Sequence, residues 1–235
     1  MVQATTGSAN HKRDHRSVLA AAEKRALIWM AERLPRWVTS DQLSALGLVS
    51  MAAAGLSFAA LGSTPWAALA VIVSLTANWF GDSLDGTLAR VRDQQRPRFG
   101  FYVDHVIDVA GTAMLIAGLA WSGRMDTTLA LVALCAYLMV SAESYLATHA
   151  LGVFRMSFLG VGPTELRVLL AAGALSVMSD PFIDAGPLAG ARLFDVSGAI
   201  AIVGLAIVFA ANAGRNTLAL YRAEPLPTAD ARRAA

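Results

Sequence analysis

The chain has 235 residues, of which 56% are hydrophobic and only 15% are charged, and its formal net charge is +2. A charged fraction so far below the usual quarter excludes an ordinary soluble domain, and the small net charge gives no indication of nucleic-acid binding. The single cysteine, Cys135, excludes a disulfide framework and a cysteine-based metal site. The composition therefore predicts an all-α integral membrane protein.

Residues 1–40 precede the first long apolar run, and we expect them to form a cytosolic tail followed by an amphipathic helix. In "SVLAAAEKRALIWMAERLPRWVTSDQ", apolar residues recur near helical spacing and the charged residues fall largely on the other side. Such a helix is expected to lie in the membrane interface and to end near Pro35. We expect no cleavable signal peptide, because the N-terminus is polar and the first long apolar run begins only after residue 41.

Six transmembrane helices are predicted within residues 41–215, and residues 216–235 are expected to be a cytosolic tail. Residues 42–81 carry no charged side chain, and "GSTP" at positions 62–65 divides them into two spans. The other four charge-poor segments are residues 109–123, 127–142, 168–179 and 196–214.

The basic residues predict which side of the membrane each connection occupies. With both termini on the cytosolic side, only Arg124 and Arg192 of the 19 basic residues lie outside. We therefore expect an inner (cytoplasmic) membrane protein with both termini in the cytosol.

Four aspartates adjoin the second and third spans. The charge-free part of each span is about a turn shorter than the ~20 residues needed to cross a bilayer. We therefore expect the second span to continue through Asp82 and Asp85, and the third to begin with Asp104 and Asp108. Helical spacing places each pair on one face, so that antiparallel packing of the two helices brings four carboxylates together at the cytosolic edge of the membrane.

Four clustered carboxylates need a cation, because repulsion and desolvation would otherwise protonate them or separate the helices. Oxygen ligands favour hard ions such as Mg²⁺, Mn²⁺ or Ca²⁺. A two-metal centre that polarises a phosphate is one interpretation. A transporter whose aspartates bind the transported cation is another, but it leaves the positions of Gly86, Ala89 and Arg90 unexplained.

The pattern around these aspartates is DxxDGxxAR, nine further residues, and then GxxxDxxxD. Every fixed position is present, as Asp82, Asp85, Gly86, Ala89, Arg90, Gly100, Asp104 and Asp108. The pattern resembles the signature of the CDP-alcohol phosphotransferases, also called CDP-alcohol phosphatidyltransferases. The resemblance implies a transferase of phospholipid biosynthesis, which moves a phospho-alcohol group from a CDP-alcohol to an acceptor alcohol and releases CMP.

The resemblance also implies a role for each position of the signature. Two divalent cations, Mg²⁺ or Mn²⁺, would be held by Asp82, Asp85, Asp104 and Asp108. Asp108 would in addition be the general base for the acceptor hydroxyl. The CDP site would be lined by Gly86, Ala89 and Arg90. At least one substrate would be a lipid, and the protein would be a homodimer.

The choice of substrates depends on residues outside the signature. His105 in "VDHVID" and Glu165 in "GVGPTELR" resemble the choline and ethanolamine branch, which joins a CDP-amino-alcohol to diacylglycerol. His105 as a hydrogen-bonding residue and Glu165 as a helix-start residue are the structural alternatives. Arg155 and Arg167 would suit an acceptor phosphate, as in enzymes that use CDP-diacylglycerol, although membrane anchoring explains them equally well. We expect CDP-diacylglycerol as the donor because that substrate class is widespread, and the amino-alcohol alternative stays open.

Overall fold

The computed structural model describes residues 20–64, 66–152, 163–178, 182–183 and 186–224. These residues form α1 (Ala20–Arg33), α2 (Ser40–Ala59), α3 (Ala67–Val91), α4 (Pro97–Trp121), α5 (Thr127–Leu151), α6 (Pro163–Ser176) and α7 (Leu193–Ala223). Every regular element in the described ranges is a helix, which confirms the predicted all-α fold.

Five of these helices are long and apolar enough to cross a bilayer, namely α2, α3, α4, α5 and α7. The chain is therefore an integral membrane protein. The predicted fifth span falls on α6, which has 14 residues. At about 21 Å, α6 is shorter than a hydrocarbon core of about 30 Å. The predicted total of six spans thus stays a prediction.

The second and third spans continue through their aspartates, as predicted. Helix α3 has 25 residues and ends at Val91, and α4 has 25 residues and begins at Pro97. Proline suits the first helical position because its missing N–H is one that the helix could not satisfy. The short connection at residues 92–96 joins α3 and α4 into a hairpin that carries all four aspartates. Its two arms pack chiefly against α2 rather than directly against each other, as the spacing had suggested.

Helix α2 supports both arms of this hairpin at very short range. A Cβ atom added at Gly81 of α3 would lie 2.6 Å from the carbonyl oxygen of Leu43 and 2.8 Å from the amide nitrogen of Gly47. A Cβ atom added at Gly118 of α4 would overlap the carbonyl group of Gly55. Glycine is required at these crossings because the backbones themselves are in contact.

The predicted N-terminal helix is present as α1, which ends at Arg33. The turn after it is fastened by Arg92, whose guanidinium donates to the carbonyl oxygens of Leu34 at 2.9 Å and Val38 at 2.6 Å. Helix α2 then begins with a capping box between Thr39 and Gln42. The end of α3 therefore holds α1 next to the aspartate-bearing hairpin.

Glu23 attaches α1 to two further helices. Its Oε1 accepts a hydrogen bond from Trp79 Nε1 of α3 at 2.8 Å and another from Thr164 Oγ1 of α6 at 3.2 Å. Ala31 of α1 packs in a small apolar cluster with Leu43 of α2 and with Leu84 and Leu88 of α3. These contacts order α1 against α3, whereas its predicted place in the membrane interface stays a prediction.

Helices α5 and α7 pack against each other beside the hairpin, and α5 also contacts α4. Phe58 of α2 meets Phe194 of α7 edge to face, with ring centroids 6.0 Å apart, in the main apolar core. The last span was predicted to end at residue 214, but α7 continues to Ala223. No proline occurs in α7 before Pro225, and Gly214, at the predicted end, is tolerated inside the helix.

Candidate metal centre and active site

Three of the four aspartates come together, one from α3 and two from α4. Asp82, Asp104 and Asp108 each offer a carboxylate oxygen, and these three oxygens all lie within 4.8 Å of one another. All three side chains are half-buried. Asp104 and Asp108 are four residues apart on α4, so helical spacing stacks them on one face towards Asp82.

Asp85 is on the same face of α3, but it does not belong to this group of three. Its Oδ2 accepts a hydrogen bond from Ser44 Oγ of α2 at 2.6 Å, and its Oδ1 accepts from the amide of Gly86 at 2.5 Å. Ser40 Oγ donates to the carbonyl oxygen of Asp85 at 2.9 Å. The first two turns of α2 therefore hold this part of α3 from the side.

The three clustered carboxylates form a suitable ligand set for a hard divalent cation. Such ions prefer carboxylate oxygens, and a bound cation would relieve the repulsion among three negative groups in a partly buried setting. The side chains present in the described ranges thus fit the predicted metal, and Asp85 lies one helical turn from Asp82.

Arg167 of α6 is brought directly to the aspartates. Its Nη2 donates to Asp82 Oδ2 at 2.6 Å, and its Nε donates to Asn78 Oδ1 at 2.8 Å. Asn78 is buried and lies one helical turn before Asp82. Arg167 therefore belongs to the site, and it places a positive charge on one of the clustered carboxylates.

His105 is buried beside the cluster, between α4 and α5. Its Nδ1 lies 2.6 Å from the carbonyl oxygen of Phe101 and 3.9 Å from Asp104 Oδ2. The imidazole also meets the ring of Tyr145 edge to face, with centroids 5.1 Å apart. Since a carbonyl can only accept, the bond to Phe101 requires the hydrogen to be on Nδ1.

The remaining signature residues, Gly86, Ala89, Arg90 and Gly100, range from half-buried to exposed. Arg90 is exposed, and its Nη2 donates to Thr87 Oγ1 at 3.0 Å. An added Cβ at Gly86 would meet only the guanidinium of Arg90, the end of a flexible side chain, at 3.4 Å. Ala89 is half-buried, and Gly100 is open on its outer side.

Of the two other predicted residues, the structure describes only Glu165, which is not part of the aspartate group. Glu165 is half-buried in the first turn of α6, two residues before Arg167. Arg155 lies outside the residues that the structure describes.

Three contributors were not predicted from the sequence, namely Ser40, Ser44 and Asn78. Each is a polar residue in or beside a charge-free span, and Asn78 stands four residues before Asp82 on the same face. That spacing was a signal that could have suggested Asn78. Nothing local marks the two serines, because their partner lies more than forty residues further along the chain.

Comparison with known proteins agrees with this arrangement. The family model for CDP-alcohol phosphatidyltransferase matches residues 37–211. Among solved structures, the chain is similar to phosphatidylinositol phosphate synthase of Mycobacterium tuberculosis, determined with CDP-DAG bound. The TM-score is 0.60 at 23% sequence identity, covering 82% of this chain and 94% of that chain. No curated protein gives a significant sequence match.

The family match spans all eight signature positions and the five long helices apart from the end of α7. The similar solved structure has the same helical fold over most of the chain. The chain therefore belongs to the CDP-alcohol phosphatidyltransferase family, and it is a transferase of phosphate-containing groups that acts in phospholipid headgroup transfer.

Proposed function

We propose that this protein transfers a phosphatidyl group from CDP-diacylglycerol to an acceptor alcohol and releases CMP. The observation that carries the proposal is that Asp82, Asp104 and Asp108, three aspartates of the family signature, come together in space. The choice of donor is supported by the CDP-DAG bound to the similar synthase. A lipid donor also suits a site carried by helices that are long enough to span a bilayer.

In the proposed reaction Asp108 accepts the proton of the acceptor hydroxyl. The acceptor oxygen then attacks the phosphorus that bears the diacylglycerol, a new phosphodiester bond forms, and the bond from that phosphorus to the bridging oxygen breaks. CMP leaves with the bridging oxygen. Removal of a proton by a positioned carboxylate contributes roughly 10²–10⁴-fold to such a reaction.

The other signature residues bind and orient the substrates in this proposal. Asp82, Asp85, Asp104 and Asp108 hold Mg²⁺ or Mn²⁺, which would neutralise charge on the transferring phosphate and the leaving group. Gly86 and Ala89 leave space for the nucleotide, and Arg90 is exposed where it can contact phosphate.

We propose a cytosolic site in the inner membrane, with both termini in the cytosol, because that orientation places 17 of the 19 basic residues inside. The family resemblance supports a homodimer. Nucleotide would then reach the site from water while the lipid approaches between helices.

The second candidate function is transfer of a phospho-amino-alcohol from CDP-choline or CDP-ethanolamine to diacylglycerol. The observation that favours it is the buried His105, whose Nδ1 lies 3.9 Å from Asp104 Oδ2. His105 stands between Asp104 and Asp108 in a DHxxD sequence, the form of the signature that resembles that branch.

A donor panel decides between the two functions. Purified protein with Mn²⁺ is given CDP-diacylglycerol, CDP-choline or CDP-ethanolamine, each with a set of acceptor alcohols, and the lipid product is identified by its mass. We expect CMP to be released from CDP-diacylglycerol only when an acceptor is present. Consumption of CDP-ethanolamine with an inert CDP-diacylglycerol would establish the second function. Cation flux in liposomes without CMP release would establish a transporter instead.

Ser44 gives a further prediction, because its hydroxyl is the α2 contact to Asp85. We expect Ser44→Ala to lower phosphotransfer by roughly 10-fold to 100-fold, the usual effect of losing a hydrogen bond that orients a metal ligand. Ser57→Ala is the matched control, since Ser57 Oγ only donates to the carbonyl oxygen of Ala53 within α2. Equal initial rates of CMP release for the two variants would show that Ser44 does not orient Asp85.

A further inference from the structure

Asn78 uses both halves of its amide, although it belongs to no part of the family signature. The side chain is 4% exposed. Its Nδ2 donates to the carbonyl oxygen of Gly47 on α2 at 3.0 Å, and its Oδ1 accepts from Arg167 Nε at 2.8 Å. The amide therefore connects the backbone of α2 to a guanidinium on α6.

The chemistry of the two neighbours fixes the orientation of this amide. A backbone carbonyl only accepts hydrogen bonds and a guanidinium only donates them, so the residue between them must offer one donor and one acceptor. An aspartate at position 78 would face the Gly47 carbonyl with lone pairs, and a leucine would lose both bonds. Asparagine satisfies both neighbours in one orientation.

Arg167 is consequently held at two points on one face of α3. Its Nε is bound at position 78, and its Nη2 donates to Asp82 Oδ2 at 2.6 Å, one helical turn later. Both side chains of the ion pair are largely withdrawn from solvent, with relative exposures of 15% for Arg167 and 28% for Asp82. A guanidinium keeps its proton at any accessible pH, so its charge persists at this carboxylate.

A cation fixed on Asp82 opposes a second cation on the same carboxylate, and partial burial reduces the screening between them. We propose that Arg167 is a built-in counter-cation of the aspartate cluster, and that Asn78 is the positioning residue that holds it there. The cluster then binds divalent cations weakly on its own. It binds them more strongly when a diphosphate donor adds negative charge. This inference rests on the metal-binding part of the proposed function.

Direct Mn²⁺ binding to the purified protein in detergent, followed by electron paramagnetic resonance without nucleotide, tests the proposal. We expect Arg167→Gln to lower the Kd for Mn²⁺ about tenfold, because one nearby positive charge is removed. Arg167→Lys keeps the charge and should bind close to wild type. Asn78→Leu should also bind more tightly, by a smaller factor, because Arg167 loses its anchor.

A double variant shows whether Asn78 acts through Arg167. Asn78→Leu added to Arg167→Gln should leave the Kd of the single Arg167 variant unchanged, since the anchor then has nothing to hold. Ser74→Ala, one turn before Asn78 on the same buried face, is the matched control and should bind as wild type. Size-exclusion profiles and thermal melts are used to check that each variant is folded.

The sign of the change separates this proposal from a merely structural role. If Arg167 and Asn78 only support the packing, their loss should weaken Mn²⁺ binding or leave it unchanged. Unchanged or weaker binding by folded Arg167→Gln and Asn78→Leu would therefore overturn the proposed role of Arg167 as a counter-cation. Two results would instead contradict the proposed metal centre, and this inference with it. One is Mn²⁺ binding by Asp108→Asn as tight as that of the wild type, and the other is the absence of Mn²⁺ binding by the wild type and every variant.

Discussion

Asp108→Asn should abolish CMP release while leaving the fold intact. The substitution keeps the size of the side chain but removes the carboxylate that is proposed both to accept the acceptor proton and to complete the cluster with Asp82 and Asp104. Loss of a general base alone costs roughly 10²–10⁴-fold in rate, so we expect activity at or below the assay background. Initial rates of CMP release from CDP-diacylglycerol, with acceptor in excess, measure the effect.

Asp93→Asn is the matched control for this variant. Asp93 is an exposed carboxylate in the connection between α3 and α4, and its φ of 54° lies in the left-handed region, where asparagine is well tolerated. The control should retain wild-type rates. A folded Asp108→Asn protein that releases CMP as fast as Asp93→Asn would exclude Asp108 as the base.

Gly81→Ala should strongly destabilise the protein, although it adds only one methyl group. The added Cβ would lie 2.6 Å from the carbonyl oxygen of Leu43 and 2.8 Å from the amide nitrogen of Gly47. Both are backbone atoms, so no side chain can turn away and the helices must separate. We expect a loss of about 3 kcal/mol in the free energy of unfolding, at the upper end for overpacked sites.

The separation should also reach the site, because Asp82 follows Gly81 directly and Ser44 lies on the displaced part of α2. Thermal melts in detergent and rates of CMP release should therefore both fall. Gly204→Ala provides the control, since an added Cβ at that position in α7 meets no atom within 4 Å. Equal melting temperatures for the two variants would show that the contact between α2 and α3 is looser than described.

Much of the helical structure could be predicted from the sequence. The charge-free runs indicated α2 and α3. The charge-free parts of the second and third spans are too short to cross a bilayer, which indicated that both helices continue through the carboxylates. Each of these is a local property, because helix length and periodicity depend on neighbouring residues. The end of α7 and the short α6 were predicted less well. A charge marks where an apolar run stops, but it does not stop a helix.

The signature residues were equally accessible to sequence reasoning. Asp104 and Asp108 at a spacing of four must share a face of any helix that contains them, and the same holds for Asp82 and Asp85. Spacing did not distinguish Asp82, whose carboxylate joins the cluster, from Asp85, which is held by Ser44. That difference depends on how α3 is rotated against α2.

The sequence by itself determined the class of protein, the helices that carry the aspartates and the family to which the chain belongs. Only the tertiary structure decided that Arg167 reaches Asp82 across 85 positions of the chain and that Asn78 holds it there. Periodicity orders residues along one helix. Contacts between helices depend on where the helices cross and how each is rotated. Glycines such as Gly81 permit a close crossing, but no local sequence pattern shows which helix they meet.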